Sequence, residues 1–265
     1  MTAALSQSRF TYAWAQTTGT AHTVRGVPCE DTMGLSIITD KSGTTWLIAA
    51  VADGAGSAAC AAEGSRLAAE SFIEAAAESI IRHGTGDLAL LMRSSAVYAR
   101  TIIEFVAEYA GRPLDDYHTT LLACITCGTR SSFFQIGDGI IIARDQETAT
   151  WSAIFRPQND ETREFTYFLT LPNAFEIAEV ALVDRPICHV ALTSDGLQDI
   201  IVHPKTLTVR STLLDKLAAA LSATDAFGDA ERVSSGLFSV LDSTAFRRMT
   251  GDDTSLLAVQ LTAPV

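Results

Sequence analysis

Residues 44–54 read TTWLIAAVADG. Seven apolar residues in succession, Trp46 to Ala52, are followed at once by an acid and a glycine. Such an uninterrupted run reads as a strand covered on both faces. Asp-Gly ordinarily signals a short hairpin, but no second strand follows here. Small or apolar residues recur instead at Ala61, Ser65, Ala68, Phe72, Ala76 and Ile80, the three-to-four spacing of a helix face. Asp53 therefore stands at the end of a buried strand, where an acid needs a reason.

Outward from this centre, residues 10–16 and 33–38 read as strands. The first helix covers 61–81. The break HGTGD at 83–87 carries two glycines, and Asp87 is a fair N-cap for a second helix. In that second helix Leu88, Leu91, Met92, Ser95, Ile102 and Val106 share one face. TTLLACITCG (119–128), SSFFQIGDG (131–139) and IIIARD (140–145) read as a meander of antiparallel strands. Residues 150–155, 165–169, 178–183 and 188–193 continue it, with 156–164 as a polar surface loop or flap. Helical segments are expected at 207–221 and 229–241, and a closing strand at 255–261. Strands, a helix pair, more strands and another helix pair describe layered α+β architecture rather than βαβ alternation. No linker marks a boundary, so 1–265 reads as one domain.

Composition narrows the class. Nineteen Lys and Arg stand against 31 Asp and Glu, a net charge of −12, and 48% of the residues are apolar. That excludes a disordered chain and argues against a general nucleic-acid binder, which needs cations for the phosphate backbone. The N-terminus lacks a signal-peptide layout, and no apolar run approaches the ~20 residues of a membrane span. A cytoplasmic protein is the expectation. The five cysteines are too scattered for a disulfide framework. Cys124 and Cys127 form a CxxC without a second pair, and strand alternation puts them on opposite faces; they read as core thiols.

The position of the acids carries the chemistry. Asp53, Asp138 and Asp195 each follow an apolar strand and precede a glycine. Asp252 and Asp253 precede TSLLAV, and Glu30 and Asp31 precede the strand at 33–38. Taken singly, Asp138-Gly139 also fits a hairpin and Asp252-Asp253 a solvated turn. Taken together, they place five or six carboxylates at one sheet edge if the strand ends converge. Crowded carboxylates repel and retain protons, and a divalent cation removes that penalty. An all-oxygen donor set favours magnesium or manganese over zinc. A glycine after the acid lets backbone carbonyls approach a metal.

One other motif competes. GAGSAA at 54–59 fits the dinucleotide fingerprint G-x-G-x-x-A after a strand. That reading requires an acid at the end of a second strand about 20 residues on. Here the stretch is helical and holds Glu70 and Glu74.

The ordered set PCED, VADGAGS, TTLLA, QIGDG, LTSDGL and GDDTSLL resembles the metal-dependent type 2C protein serine/threonine phosphatases in their compact bacterial form. The resemblance runs from about residue 15 to 261. It implies a four-layer αββα sandwich, two antiparallel β-sheets flanked by helix pairs, with two Mn2+ or Mg2+ ions and a third, weaker one at one end. On that pattern Asp53 bridges two ions and Gly54 offers its carbonyl to one. Asp195 and Asp252 hold the other, Glu30 and Asp31 hold waters of the first, and Asp138 helps hold the third. A metal-bridging hydroxide would attack phosphorus in line without a phosphoenzyme. Asp53, Asp195 and Asp252 are thus the expected catalytic residues. The expected partners are phosphoproteins carrying phosphoserine or phosphothreonine and a cognate kinase, the chain itself being a monomer.

Two departures from the pattern stand out. Many members carry a phosphate-gripping Arg four residues before the Glu, where this chain has Gly26. Arg25 is one residue off, an offset that reverses the face in a strand but not across a loop or bulge. Arg25 and His22 are the candidates for phosphate binding. Many eukaryotic members also have a His after the Asp-Gly, where this chain has Ala55. His118, before Thr119-Thr120, is a lesser candidate for a role at the site; His83, His189 and His203 read as structural or solvated. A non-catalytic module on the same fold is the alternative, and it predicts loss of a core acid, whereas Asp53, Asp195 and Asp252 are all present.

Overall fold

The computed structural model describes residues 9–159, 166–203, 206–224 and 227–262. Its strands are β1 (Arg9–Thr17), β2 (Asp31–Thr39), β3 (Thr45–Asp53), β4 (Leu121–Thr126), β5 (Ser131–Ile136), β6 (Ile140–Asp145), β7 (Trp151–Ala153), β8 (Glu179–Val183), β9 (Ile187–Thr193), β10 (Gly228–Asp229) and β11 (Thr254–Thr262). Its helices are α1 (Thr20–Arg25), α2 (Ala61–His83), α3 (Leu88–Ala110), α4 (Ala174–Ile177), α5 (Gln198–Ile201), α6 (Thr212–Ser222), α7 (Glu231–Leu241) and α8 (Thr244–Arg247). One sheet runs β2-β3-β4-β5-β8, the other β10-β1-β11-β9-β6-β7. Every pairing is antiparallel except the short β1–β10 contact.

The period-2 pattern of the apolar run builds the layers. Trp46, Ile48, Ala50 and Ala52 of β3 face α2 and α3. Leu47, Ala49 and Val51 face the opposite sheet, where they meet Leu192, Leu257 and Val259. On the far side of the second sheet Ala191, Leu256 and Ala258 pack under α6 and α7 with Leu214, Leu217 and Leu237. Three apolar layers therefore separate four layers of structure, which is why β3 carries no polar residue between Trp46 and Ala52. Cys124 lies in the layer between the sheets and Cys127 in the helix-facing layer, the opposite faces that alternation predicts. Asp87 caps α3 by accepting from the backbone N–H groups of Ala89 and Leu90.

The structure departs from the sequence reading at several places. Residues 119–145 are not one meander: β4 and β5 pair in the first sheet, whereas β6 crosses to the second and pairs with β9 and β7. Gly137, at φ +111°, makes the crossing, and a Cβ there would lie 2.4 Å from Thr120 Cγ2. Asp138-Gly139 is therefore an inter-sheet link and not a hairpin. Residues 166–169 form no strand; Thr166 makes only an isolated bridge to Asn159. The helix expected over 207–221 starts at Thr212, because Leu207 adopts φ +56° and Val209 turns back to bridge Val202. Of the polar segment 156–164, residues 160–164 lie outside the described residues.

The layers bring strand ends to one edge. Asp31 is the β2 partner of Asp53, Thr17 pairs with Thr254, and Ile140 pairs with Thr193. The starts of β2, β4, β6 and β11 and the ends of β1, β3 and β9 thus share that edge, where the acids singled out by the sequence stand.

Candidate active site

At this edge lies a pocket of about 690 Å³ lined by Asp53, Asp138, Asp195 and Asp252 together with Gly54, His22 and Arg25. Asp53 comes from the first sheet, Asp195 and Asp252 from the second, and Asp138 from the link between them. Glu30 and Asp31 sit behind this lining, both buried. The structure therefore gathers every expected ligand position into one region, five on the wall and two beneath it.

The residues that fix these acids were not all legible. Thr120 donates its backbone N–H to the Asp53 carbonyl at 2.9 Å and accepts the Asp53 N–H on its hydroxyl at 2.9 Å. Thr119 Oγ1 donates to the same carbonyl at 3.0 Å. The paired threonines of TTLLA thus clamp the end of β3. Ser194 Oγ donates to Asp31 Oδ2 at 2.7 Å and accepts from the Ser255 N–H at 3.1 Å, which ties one sheet to the other. Thr166 Oγ1 donates to Asp138 Oδ2 at 2.5 Å. Asp253, which the family pattern does not mark, is buried and accepts from the Gly19 N–H (2.6 Å), from the Glu30 N–H (2.6 Å) and across 2.8 Å from His22 Nδ1. Adjacent acids have split roles: Asp252 lines the pocket and Asp253 holds its wall. The one available signal was alternation, which turns neighbours at a strand start to opposite sides.

Gly54 has a second reason to be glycine. A Cβ there would lie 2.4 Å from the Ala61 carbonyl oxygen at the start of α2, so helix and strand can meet this closely only without a side chain.

Burial and mutual repulsion dominate the electrostatics. Lost hydration pushes Asp31 up to about 7, against the hydrogen bond from Ser194. Lost hydration, then Asp138 and Asp252, push Asp195 up to about 8. Asp53 is raised well above the carboxylate range by burial, then by Asp31 and Asp195, and it shares a hydrogen bond with Asp195. Asp138 and Glu30 are raised by burial as well. Asp31 Oδ1, Asp195 Oδ1 and Glu30 Oε2 are buried with no hydrogen-bond partner. Among the described residues no three such side chains already enclose one point as ligands; Asp53 and Asp195 share a hydrogen bond instead. Buried acceptors without donors, in an all-oxygen set with raised proton affinity, fit hard divalent cations.

The opposite wall is cationic. Residues 20–25 are a helical turn, not a strand, so the one-residue offset of Arg25 does not reverse its side. His22 and Arg25, three apart on α1, both line the pocket. A Cβ on Gly56 would lie 3.9 Å from His22 Nε2 and 4.0 Å from Arg25 Nη2, so the loop after Asp53 faces both. With Nδ1 on Asp253, His22 turns Nε2 toward Glu30 Oε2, 3.6 Å away. His118 is not a wall residue: it stacks on Phe168 with ring centroids 4.9 Å apart, and Phe168 lines the pocket. Burial lowers the His118 pKa.

The dinucleotide reading fails on topology. Both neighbours of β3 are antiparallel to it, whereas the fingerprint needs a parallel βαβ unit. Glu70 and Glu74 lie on α2, not at a strand end.

Carboxylates from two stacked antiparallel sheets face a short turn that carries Arg25, an arrangement suited to divalent cations and a phosphate together. The family model for protein phosphatase 2C matches residues 18–235, and the chain belongs to that family. Serine/threonine-protein phosphatase 3 of Escherichia coli (strain K12) is 25% identical over 190 residues, which cover 72% of this chain and 74% of that protein. The fold matches the Mycobacterium tuberculosis serine/threonine phosphatase PstP/Ppp with a TM-score of 0.62 at 18% identity, covering 96% of this chain and 100% of the other. The catalytic domain of PstP in complex with two manganese ions matches with a TM-score of 0.60 at 19% identity, covering 97% and 100%.

Proposed function

We propose that this chain hydrolyses phosphoserine and phosphothreonine in proteins, using Mn2+ or Mg2+ held by the carboxylate edge. One observation carries the reading: Asp53, Asp138, Asp195 and Asp252, from both sheets and the link between them, line one pocket with buried, unpartnered carboxylate oxygens beside them. Asp53, Gly54, Asp195 and Asp252 would hold the principal ions, with Glu30 and Asp31 behind them and Asp138 toward a further one. Bound divalent cations supply charge compensation for the carboxylates and the phosphate, and they activate water at neutral pH.

The chain's own residues do the positioning. Thr119 and Thr120 keep the end of β3 from shifting, so the Asp53 carboxylate is fixed by its backbone. Asp253 accepts the His22 Nδ1–H and so orients the ring with Nε2 turned toward the pocket, from where the imidazolium form donates to a phosphate oxygen. Arg25, always charged, offers a second donor set from the same helical turn. Phe168, braced by His118, gives an apolar surface for the chain that carries the phosphate. The PstP–manganese complex supports the choice of metal.

The residues from both sheets that meet at the pocket support one catalytic domain across 1–265. A monomer acting opposite a cognate kinase in the cytoplasm completes the reading. No described helix is long and apolar enough to cross a membrane.

The test is p-nitrophenyl phosphate and phosphopeptide hydrolysis with manganese, magnesium or chelator. Metal-dependent turnover should fall at least ~10³-fold in Asp53→Asn and Asp195→Asn. Arg25→Ala should raise KM more than it lowers kcat. A folded protein inactive with every divalent ion would move the reading to a non-catalytic module.

A further inference from the structure

We propose that the groove between α6 and α7 docks an acidic amphipathic helix of a partner protein. The groove measures about 990 Å³, larger than the carboxylate pocket, and lies outside it. Leu213 and Leu217 of α6 line one side and Val233, Leu237 and Val240 of α7 the other, with the core residues Leu217 and Leu237 at the floor. Their spacing along each helix is three to four residues, so each wall is a continuous apolar stripe. Gly236 sits in the middle of α7, and a Cβ there would meet nothing within 4 Å. The gap is therefore open at a point where almost any other residue would narrow it.

Charge selects the occupant. Arg210, Lys216 and Arg232 line the groove and no acid does, in a chain whose net charge is −12. Lys216 and Arg232 make no ion pair among the described residues. The three cations are not clustered as they would be for a single anionic head group. Arg210 precedes α6, Lys216 lies within it, and Arg232 begins α7 at the other end of the helical hairpin. A row of cations beside an apolar trough matches a helix with an apolar stripe and acidic flanks. The trough follows α6, eleven residues long, or about 16 Å, which sets an occupant of about three turns. Its end wall includes Met249, next in sequence to Thr250, Gly251 and Asp252 of the pocket, so a docked partner sits beside the rim of the active site. The docking claim stands on the groove alone and does not require the phosphatase reading.

The test is fluorescence anisotropy with a labelled peptide of about 14 residues, carrying Leu at i, i+3, i+4 and i+7 and Glu on the flanks. A twin carries Lys in place of Glu. The Glu peptide should bind saturably and weaken with salt. Binding should drop at least ~10-fold in Gly236→Leu and in the Lys216→Glu/Arg232→Glu double variant. The Lys twin should bind the natural chain poorly and gain on the charge-reversed variant. Circular dichroism melting of Gly236→Leu, expected at or above the parent's, separates a filled groove from a failed fold. Absence of saturable binding, equal binding of the twins, or unchanged binding to Gly236→Leu overturns the proposal. Self-association by sedimentation that Gly236→Leu abolishes would assign the groove to a second copy instead, and also overturns it.

Discussion

Asp31 and Asp53 stand directly opposite one another at the end of the β2–β3 ladder. Like charges in that position oppose pairing, and Asp195 adds a third. Folding raises the proton affinity of all three above the unfolded value, to about 7 for Asp31 and about 8 for Asp195. A raised carboxylate contributes stability that is complete below its unfolded pKa and is lost as pH climbs to the folded one. In chelator, stability should therefore fall between about pH 4 and 8, and Asp195→Asn should shallow the slope. Manganese should abolish it. Urea melts across that range, with and without metal, check this.

Asp253 should matter as much as the acid before it, for a different reason. It accepts from Gly19, Glu30 and His22 while buried. Asp253→Ala strands these donors and should cost about 2–4 kcal/mol in a urea melt. Its activity defect should appear chiefly in KM, because it positions His22 rather than touching phosphate.

His189 sets a second, opposite pH dependence on the far side of the molecule. Burial first, then the Arg144 cation, lower its pKa to about 4, so the folded state keeps it neutral while the unfolded chain protonates near 6.5. Stability should fall as pH drops from about 6.5 to 4, by roughly 3 kcal/mol at the lower end. In His189→Leu this acid-side loss should disappear, which differential melts at pH values on either side of 5 would reveal.

Two glycines should respond oppositely to alanine. At Gly196 a Cβ would lie 2.0 Å from the Asp253 carbonyl oxygen, so Gly196→Ala must push the Asp195 turn off β11. We expect a loss of about 2–4 kcal/mol together with activity. At Gly236 nothing stands in the way, and Gly236→Ala should gain about 0.5–1 kcal/mol from helix propensity. Thermal melting distinguishes the two.

The layered fold was readable because β3 and its neighbours alternate between two apolar layers, and because α2 and α3 hold a clean helical spacing. The acids were readable because each stands at the end or at the start of an apolar strand. What escaped were facts about partners rather than periods. IGDGII has the same letters whether β6 pairs with β5 or crosses to the other sheet. Leu207 carries no mark of its left-handed backbone. Arg25 is one residue off the family pattern, and nothing in the letters says that residues 20–25 form the helical turn that puts it beside His22. Asp252 and Asp253 are the same letter twice, and only their surroundings make one a pocket residue and the other a buried acceptor.

The carboxylates reach the pocket from opposite sheets, so the layer of Val51, Leu122, Leu192 and Leu257 between those sheets acts as a spacer. Asp53 rides on one jaw of a calliper and Asp195 on the other, and the thickness of this apolar filling sets the opening. Trimming a methyl group there changes the span across which metal and phosphate must fit, long before it threatens the fold. Catalytic rate in such variants would then gauge core thickness more finely than any melting curve.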